Sequence, residues 1–167
     1  GAMQIAQRAT TSTATGYGTV DRWQAGYSGE DEDPTQAQIT LTSSDTGPWA
    51  KGFRHALQVT NGNQTGGLGA TDYQVIESGL EAQDLANSGW DYTSTSSYIT
   101  LSYWVKSSVA QNFYGYLKTS DGTDQAYKFE TGTLSANTWT KITKKIPGNA
   151  NLQFDNNNDD GLWVVLI

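Results

Sequence analysis

The residues of this sequence whose types and spacing suggest a chemical function are aromatic residues on strand-like stretches, whose rings could bind a ligand. The stretch YITLSYWVKSS places Tyr103 directly before Trp104. Successive side chains of a β-strand point to opposite faces of a sheet, so the two rings must lie in different surroundings. Trp104 alternates with Thr, Ser and Lys, and we expect it on the solvent side. The apolar set expected to face a core is Ile99, Leu101, Tyr103 and Val105.

The next strand-like stretch, NFYGYLKTS, repeats this pattern, with Tyr114, Tyr116 and Lys118 on one parity. If the two strands are hairpin neighbours, Trp104 joins Tyr114 and Tyr116 on one polar face. Ser102 and Lys118 are then its polar partners. Such a face suits a sugar, because flat rings offer apolar area while nearby polar groups bond the hydroxyls. The predicted ligand is a polysaccharide or a cell-surface glycan.

Other interpretations of the aromatic residues stay open. If a loop or the N-terminal segment covers this face, Trp104 is a packing residue instead of a ligand contact. Trp49 in TGPWAKGF, and Trp90 with Tyr92 in SGWDY, lie in loop-like stretches. Aromatic residues in loops are either lids on the core or rim contacts for a ligand. Trp139 opens a strand-like run and is expected to cap the edge of the core.

Catalytic chemistry has little support in the sequence. The chain holds one histidine, His55, and no cysteine. The run FRHALQVT predicts that His55 starts a strand and is held by a hydrogen bond, rather than acting as a general base. Nucleophile elbows, phosphate-binding loops and zinc motifs are missing from the sequence, so we expect no enzymatic activity. Glycoside hydrolysis needs two carboxylates, for which the candidates are Glu77, Glu81, Asp91 and Glu130.

Acidic loops raise the question of a metal ion, because Ca²⁺ takes oxygen ligands from carboxylates and loop carbonyls. Asp31 and Asp33 in GEDED could supply such ligands, as could Asp121 and Asp124 in DGTD. The run DNNNDDG resembles part of a calcium loop but lacks its full spacing. A structural Ca²⁺ ion is one interpretation of these loops, and solvated turns are the other.

Composition limits the class of partner. Ten Lys and Arg stand against 17 Asp and Glu, which gives a formal net charge of −7 over 167 residues. Neutralising phosphates requires clustered cations, so we do not expect nucleic acid as a partner. No window reaches the apolar length of a membrane span, so we do not expect a membrane either.

Short β-type runs between turn signals predict the fold. They recur from about Ala37 onward, and SGLEAQDLANSG offers a single helical turn. This pattern predicts an all-β chain, a single antiparallel β-sandwich of jelly-roll type. Residues 1–16 are expected to form an extended arm or linker, and residues 17–167 the sandwich domain. Because the chain stops inside the apolar run GLWVVLI, we expect it to be part of a longer protein.

Several ordered blocks give the chain a family resemblance. It contains, in this order, MQIAQRAT, YGTVDRW, GPWAKGFRHALQVT, ESGLEAQDL, YITLSYWVKSS, NTWTKITKKIPG and GLWVVLI. This series resembles a domain of tailed-phage virion proteins of the tail-fibre type. Two positions differ from the usual family pattern, with Ala9 in place of Gly and Tyr103 in place of Phe. The blocks TLSYWVKSS and TW…IPG also resemble jelly-roll carbohydrate-binding modules.

The resemblance implies a non-catalytic adhesion module at the virion surface, outside the cell, which contacts other virion chains. Two alternatives stay open. One is a purely structural virion domain that makes protein–protein contacts. The other is a carbohydrate-binding module of a polysaccharide-degrading enzyme.

Overall fold

The computed structural model describes residues 2–67 and 69–167. Within these ranges the chain is almost entirely β-structure, with one short helix, α1 (Ala82–Ala86), and one 3-10 turn at Trp49–Lys51. The strands are β1 (Thr11–Ser12), β2 (Gln24–Ser28), β3 (Thr35–Thr40), β4 (His55–Thr60), β5 (Tyr73–Glu81), β6 (Tyr98–Val105), β7 (Asn112–Thr119), β8 (Ala126–Thr133), β9 (Thr140–Pro147) and β10 (Asp160–Leu166). Their ladders are antiparallel, so the predicted all-β antiparallel sandwich class is confirmed. The jelly-roll topology stays a prediction.

The chain divides into two compact units, each of which is described by itself. The first contains Gly1–Glu77 together with Ile167, and the second contains Ser78–Leu166. The boundary falls inside β5, so this strand begins in the first unit and ends in the second.

None of the helices in the described ranges is long and apolar enough to cross a membrane.

The first unit is built around β3, the middle strand of a three-stranded sheet in the order β1-β3-β4. The β3–β4 ladder runs from Thr35 opposite Thr60 to Thr40 opposite His55. A separate ladder joins β2 to the first half of β5. The sequence did not indicate β1 and β2, because TS and QAGYS are short and have no apolar alternation.

The N-terminal segment is held to β3 by a buried glutamine. Gln36 is 2% exposed although it has the parity opposite to that of the apolar residues of β3. Its amide nitrogen donates to the carbonyls of Ala14 and Gly16, at 2.7 and 3.2 Å. Its amide oxygen accepts from the hydroxyl of Thr19 at 3.1 Å. Because these groups satisfy one another, burial of the polar side chain is compatible with stability.

The second unit contains two sets of paired strands. In one, β10 pairs with β7 and β7 pairs with β8. In the other, β6 pairs with β9. The end of β5 leads into α1, the single helical turn that the sequence predicts, and this turn buries Ala82 and Leu85. The amide of Ala82 donates to the carbonyl of Asp159 at 2.8 Å, so α1 is tied to the start of β10.

Alternating side chains build the core of the second unit. On β7, Gly115, Leu117 and Thr119 are buried, whereas Tyr114 is 59% exposed. Gly115 leaves room for a neighbouring ring, since a Cβ at this position would lie 2.6 Å from Cζ of Phe129. The buried apolar side chains contributed by the strands are Leu117, Phe129, Ile142, Ile146, Leu162, Val164 and Val165.

Replacing Gln36 tests whether its amide holds the N-terminal segment. We expect Gln36→Ala to lower the free energy of unfolding by about 2–4 kcal/mol, because it removes three hydrogen bonds of a buried side chain and leaves the hydroxyl of Thr19, which is 0% exposed, without this acceptor. Urea denaturation of the purified chain measures this change. Gln38→Ala is the matched control, since the Gln38 amide nitrogen donates to one carbonyl, that of Met3 at 2.6 Å. Equal losses in the two variants would contradict the interpretation.

Candidate functional site

Trp104 lies on an exposed sheet face formed by β6 and β9. The two strands pair along their whole length, from Tyr98 opposite Pro147 to Val105 opposite Thr140. Alternation places one set of side chains on the same side of this ladder. We call this set the β6–β9 outer face; its members are Tyr98, Thr100, Ser102 and Trp104 of β6 and Lys141, Thr143, Lys145 and Pro147 of β9. Trp104 and Pro147 are half-buried, and the other members are exposed.

Tyr103 points to the opposite side of the ladder, as the alternation predicts. It stands opposite Ile142, which is 5% exposed, and Ile146 on the same side of β9 is 3% exposed. Burial raises the pKa of Tyr103 to about 12. The two neighbouring rings therefore occupy the different surroundings that the sequence indicates.

Lysine ammonium groups and aromatic rings alternate on the β6–β9 outer face. The ammonium of Lys145 lies 3.9 Å from the ring centroid of Tyr98, within the range in which a cation is attracted to a ring face. Lys141 stands directly opposite Trp104. Between these two pairs lie only hydroxyl-bearing side chains, those of Thr100, Ser102 and Thr143. The face thus offers flat apolar rings, hydroxyl groups and positive charge in one surface.

The predicted partners Tyr114, Tyr116 and Lys118 lie on one side of β7, which we call the β7 outer face. Tyr114 and Lys118 are exposed and Tyr116 is half-buried. The ammonium of Lys118 pairs with the carboxylate of Asp124 at 2.8 Å, and this hydrogen bond raises the pKa of Lys118. Trp163 of β10 stands opposite Lys118. Sequence reasoning missed Trp163, because GLWVVLI is apolar on both parities and indicates no outer side.

The prediction that Trp104 shares a sheet face with Tyr114 and Tyr116 is wrong. β6 pairs with β9, whereas β7 lies between β10 and β8. Residues 106–111 therefore lead from one sheet to another instead of forming a hairpin turn. Alternation assigns a side chain to a face but leaves the partner of the strand open, since the same pattern suits any neighbour. The single platform expected from the sequence becomes two separate faces.

The loop aromatics that were candidate ligand contacts are engaged in packing. The guanidinium of Arg54 lies 3.7 Å from the ring centroid of Trp49 and donates to its carbonyl. Trp90 and Tyr92 contact Phe154, which is 6% exposed, with ring centroids 6.3 and 5.0 Å apart. The contacts with Phe154 favour Trp90 and Tyr92 as lids on the core over rim contacts for a ligand, whereas the ring of Trp49 is covered by the exposed Arg54.

The groups considered for catalysis are placed as follows. His55 starts β4 as predicted. The hydrogen bond expected for it is not found at Nδ1, which is buried without a partner in the described part of the chain. The four candidate carboxylates each accept a hydrogen bond from a neutral side chain: Glu77 from Gln24, Glu81 from Gln83, Asp91 from Thr93 and Glu130 from Asn112.

The acidic loop of the first unit uses Asp31 to hold a neighbouring turn. One oxygen of its carboxylate accepts from the backbone N–H groups of Thr65 and Gly66, both at 2.6 Å. The hydrogen bond from Gly66, followed by those from Thr65, lowers the pKa of Asp31. Asp33 is exposed in the same loop. Asp31 therefore holds the turn at Thr65 and Gly66 through its carboxylate.

The acidic residues of the second unit also have protein partners. Asp121 accepts from the backbone N–H of Asp155 at 2.9 Å, and Asp124 pairs with Lys118. Across residues 2–67 and 69–167, no group of three or more His, Asp or Glu side chains is arranged to hold a metal ion. The structural Ca²⁺ ion stays a prediction.

No family model, no curated protein and no solved structure matches the chain. A functional assignment therefore depends on its side chains.

Titration of Tyr103 tests its inward placement. An unfolded tyrosine has a pKa near 10, and the folded protein raises that of Tyr103 to about 12. The fold therefore favours the neutral phenol, so its contribution to stability is complete below pH ~10 and is lost as the pH rises toward ~12.

We expect the melting temperature of the wild type to fall relative to that of Tyr103→Phe above pH ~10, where the variant has no phenol to ionise. Thermal unfolding followed by circular dichroism at a series of pH values measures this difference in melting temperature between the wild type and Tyr103→Phe. Tyr114→Phe is the control, since Tyr114 is 59% exposed. A difference in melting temperature that stays constant as the pH rises from ~10 to ~12 would show that Tyr103 is not buried.

Proposed function

We propose that this chain is a non-catalytic adhesion module that binds a glycan through the β6–β9 outer face. The observation that carries the proposal is Trp104 lying half-buried on a face whose other members, apart from Pro147, are exposed. A half-buried tryptophan presents a rigid ring surface to solvent, at low cost in conformational entropy on binding.

The neighbours of Trp104 supply what a sugar requires besides the ring. Ser102 and Thr143 stand directly opposite each other and are exposed, so their hydroxyl groups are available to sugar hydroxyls. Tyr98, 45% exposed, lies six residues before Trp104 on the same side of β6. At about 3.3 Å per residue, the two rings are separated by ~20 Å along the strand. Such a span suits an extended glycan chain better than a single sugar.

The setting that we propose for this module is the surface of a phage virion, as part of a tail fibre or a similar component. It rests on the ordered blocks that resemble such proteins. An exposed, shallow face binds weakly, and useful affinity then comes from many copies acting together. A fibre that carries repeated copies would meet this requirement.

A second candidate function is a structural contact with another protein chain, and the exposed side chains of β7 and β8 favour it. Tyr114 is 59% exposed on one side of the β7–β8 ladder, and Val109 in the preceding loop is 50% exposed. Tyr127, 38% exposed, stands opposite Leu117 on the other side of the ladder. Tyrosine is enriched at protein–protein interfaces. β8 is also an outer strand of its sheet, with β7 as its one neighbour.

Truncation of the ring tests the proposed function. We expect Trp104→Ala to weaken binding of the recognised polysaccharide by about tenfold or more, because aromatic anchors dominate such contacts. Affinity is measured by isothermal titration against a panel of soluble neutral and acidic polysaccharides. Tyr98→Ala gives a second measurement at the other end of the face, in case the tryptophan variant fails to fold.

Tyr114→Ala is the matched control for these titrations, because it removes an exposed ring from the β7 outer face. Loss of binding in Tyr114→Ala alone would move the site to β7. No binding of any polysaccharide by the wild type, together with self-association in sedimentation that Tyr114→Ala abolishes, would favour the structural candidate instead.

A further inference from the structure

Positive charge is concentrated on one pair of strands in a protein that is acidic as a whole. The chain has ten Lys and Arg against 17 Asp and Glu. β6 and β9 together nevertheless carry three lysines and no acidic residue. Lys106 follows directly after β6, and its ammonium lies 5.0 Å from the ring centroid of Trp139, directly before β9. The surface around Trp104 is therefore locally basic.

Two of these lysines belong to the β6–β9 outer face itself. Lys141 stands opposite Trp104, and Lys145 stands opposite Thr100 with its ammonium over the ring of Tyr98. In the part of the chain that the structure describes, neither of the two forms a salt bridge with a carboxylate. Lys118 differs from them, because its charge is already paired with Asp124. The β6–β9 outer face therefore offers a ligand two ammonium groups that are not paired with a carboxylate, whereas the ammonium of the β7 outer face is paired with Asp124.

We infer that the ligand of the β6–β9 outer face is an anionic polysaccharide, one whose sugars carry carboxylate or sulfate groups. This inference rests on the proposed function and names the class of glycan. The ring of Trp104 contacts the apolar face of a sugar, and Lys141 and Lys145, the latter with its ammonium over the ring of Tyr98, pair with acidic groups along the glycan. Charge complementarity sets the choice among glycans, since a neutral polymer would leave both ammonium groups without an opposite charge.

No acidic residue lies on β6 or β9, so the acids of the protein act on this ligand from other elements. At physiological ionic strength the screening length is about 8 Å, so distant acids act weakly on a glycan that lies against the lysines. A duplex nucleic acid is a different case, because it carries one charge per ~1.7 Å of its axis and requires many cations. Two lysines and a protein of net charge −7 suit a polymer of lower charge density.

The experiment compares polymers that differ mainly in charge, with the purified full chain. Polygalacturonate is set against its fully methyl-esterified form, dextran sulfate against dextran, and duplex DNA is included. The test protein is Lys141→Gln/Lys145→Gln. The matched control is Lys51→Gln/Lys128→Gln, which removes the same total charge from two exposed lysines outside the face.

We expect an acidic polymer to bind more tightly than its neutral partner, and the Lys141/Lys145 variant to bind it about tenfold more weakly, with little change in the control. Raising the salt from about 50 to 300 mM should weaken binding by the wild type more than by the variant. Preference for polygalacturonate would identify carboxylate as the recognised group, and preference for dextran sulfate would identify sulfate.

Three results would overturn the inference, and they differ in what they say about the proposed function. Equal binding of acidic and neutral partners, lost in Trp104→Ala but kept in the lysine variant, would leave glycan binding intact and remove the anionic specificity. Binding of duplex DNA as tight as that of the acidic polysaccharides at the same salt would make the face a general polyanion surface. No binding of any polymer would overturn both.

Discussion

Burial of the isoleucines of β9 is the constraint on which the candidate site depends. Ile142 and Ile146 are 5% and 3% exposed, and they hold one side of the β6–β9 ladder against the core. Side chains alternate with a period of two, so a slip of one residue would turn these isoleucines outward and bring Lys141 and Lys145 inward. Burying an unpaired ammonium is strongly unfavourable. The same burial that stabilises the unit therefore decides that Trp104 and the two lysines share the solvent side.

The fold shows which inferences a single strand supports. Alternation within β6 was enough to separate Tyr103 from Trp104, because the inward and outward sets differ in polarity along the whole strand. It was not enough to find the partner of β6, since both β7 and β9 offer buried apolar side chains on their inward parity, even though Lys144 shares that parity in β9. Nearness in sequence favoured β7, but a hydrogen-bonded neighbour is selected by packing across the whole unit. The contact between Trp104 and Lys141 depends on residues 37 positions apart and was not visible in either strand alone.

Buried polar groups explain the other differences between expectation and structure. Residues 1–16 look like an arm or linker in the sequence, and Gln36 has the parity opposite to that of the apolar residues of β3. In the structure the buried side chain of Gln36 donates to the carbonyls of Ala14 and Gly16, a connection that neither stretch shows by itself. Asp31 is exposed, but it too has its partners far along the chain, since it accepts from the backbone of a turn more than 30 residues away. An aspartate that holds a loop through hydrogen bonds and an aspartate that binds a cation look the same in a sequence. The sequence alone therefore does not distinguish them.

The two faces of the second unit differ in how they use similar residue types, and this difference favours the β6–β9 outer face as the binding surface. Each face has aromatic rings and lysines. On β7 the cation is neutralised by Asp124, and Val165 opposite Tyr116 is 2% exposed, so that face is partly closed. On β6 and β9 the lysines stand among hydroxyl groups and rings, with Lys145 oriented over Tyr98. Cations already positioned beside exposed rings lose little freedom when a ligand arrives, which is the property that a weak and repeated contact requires.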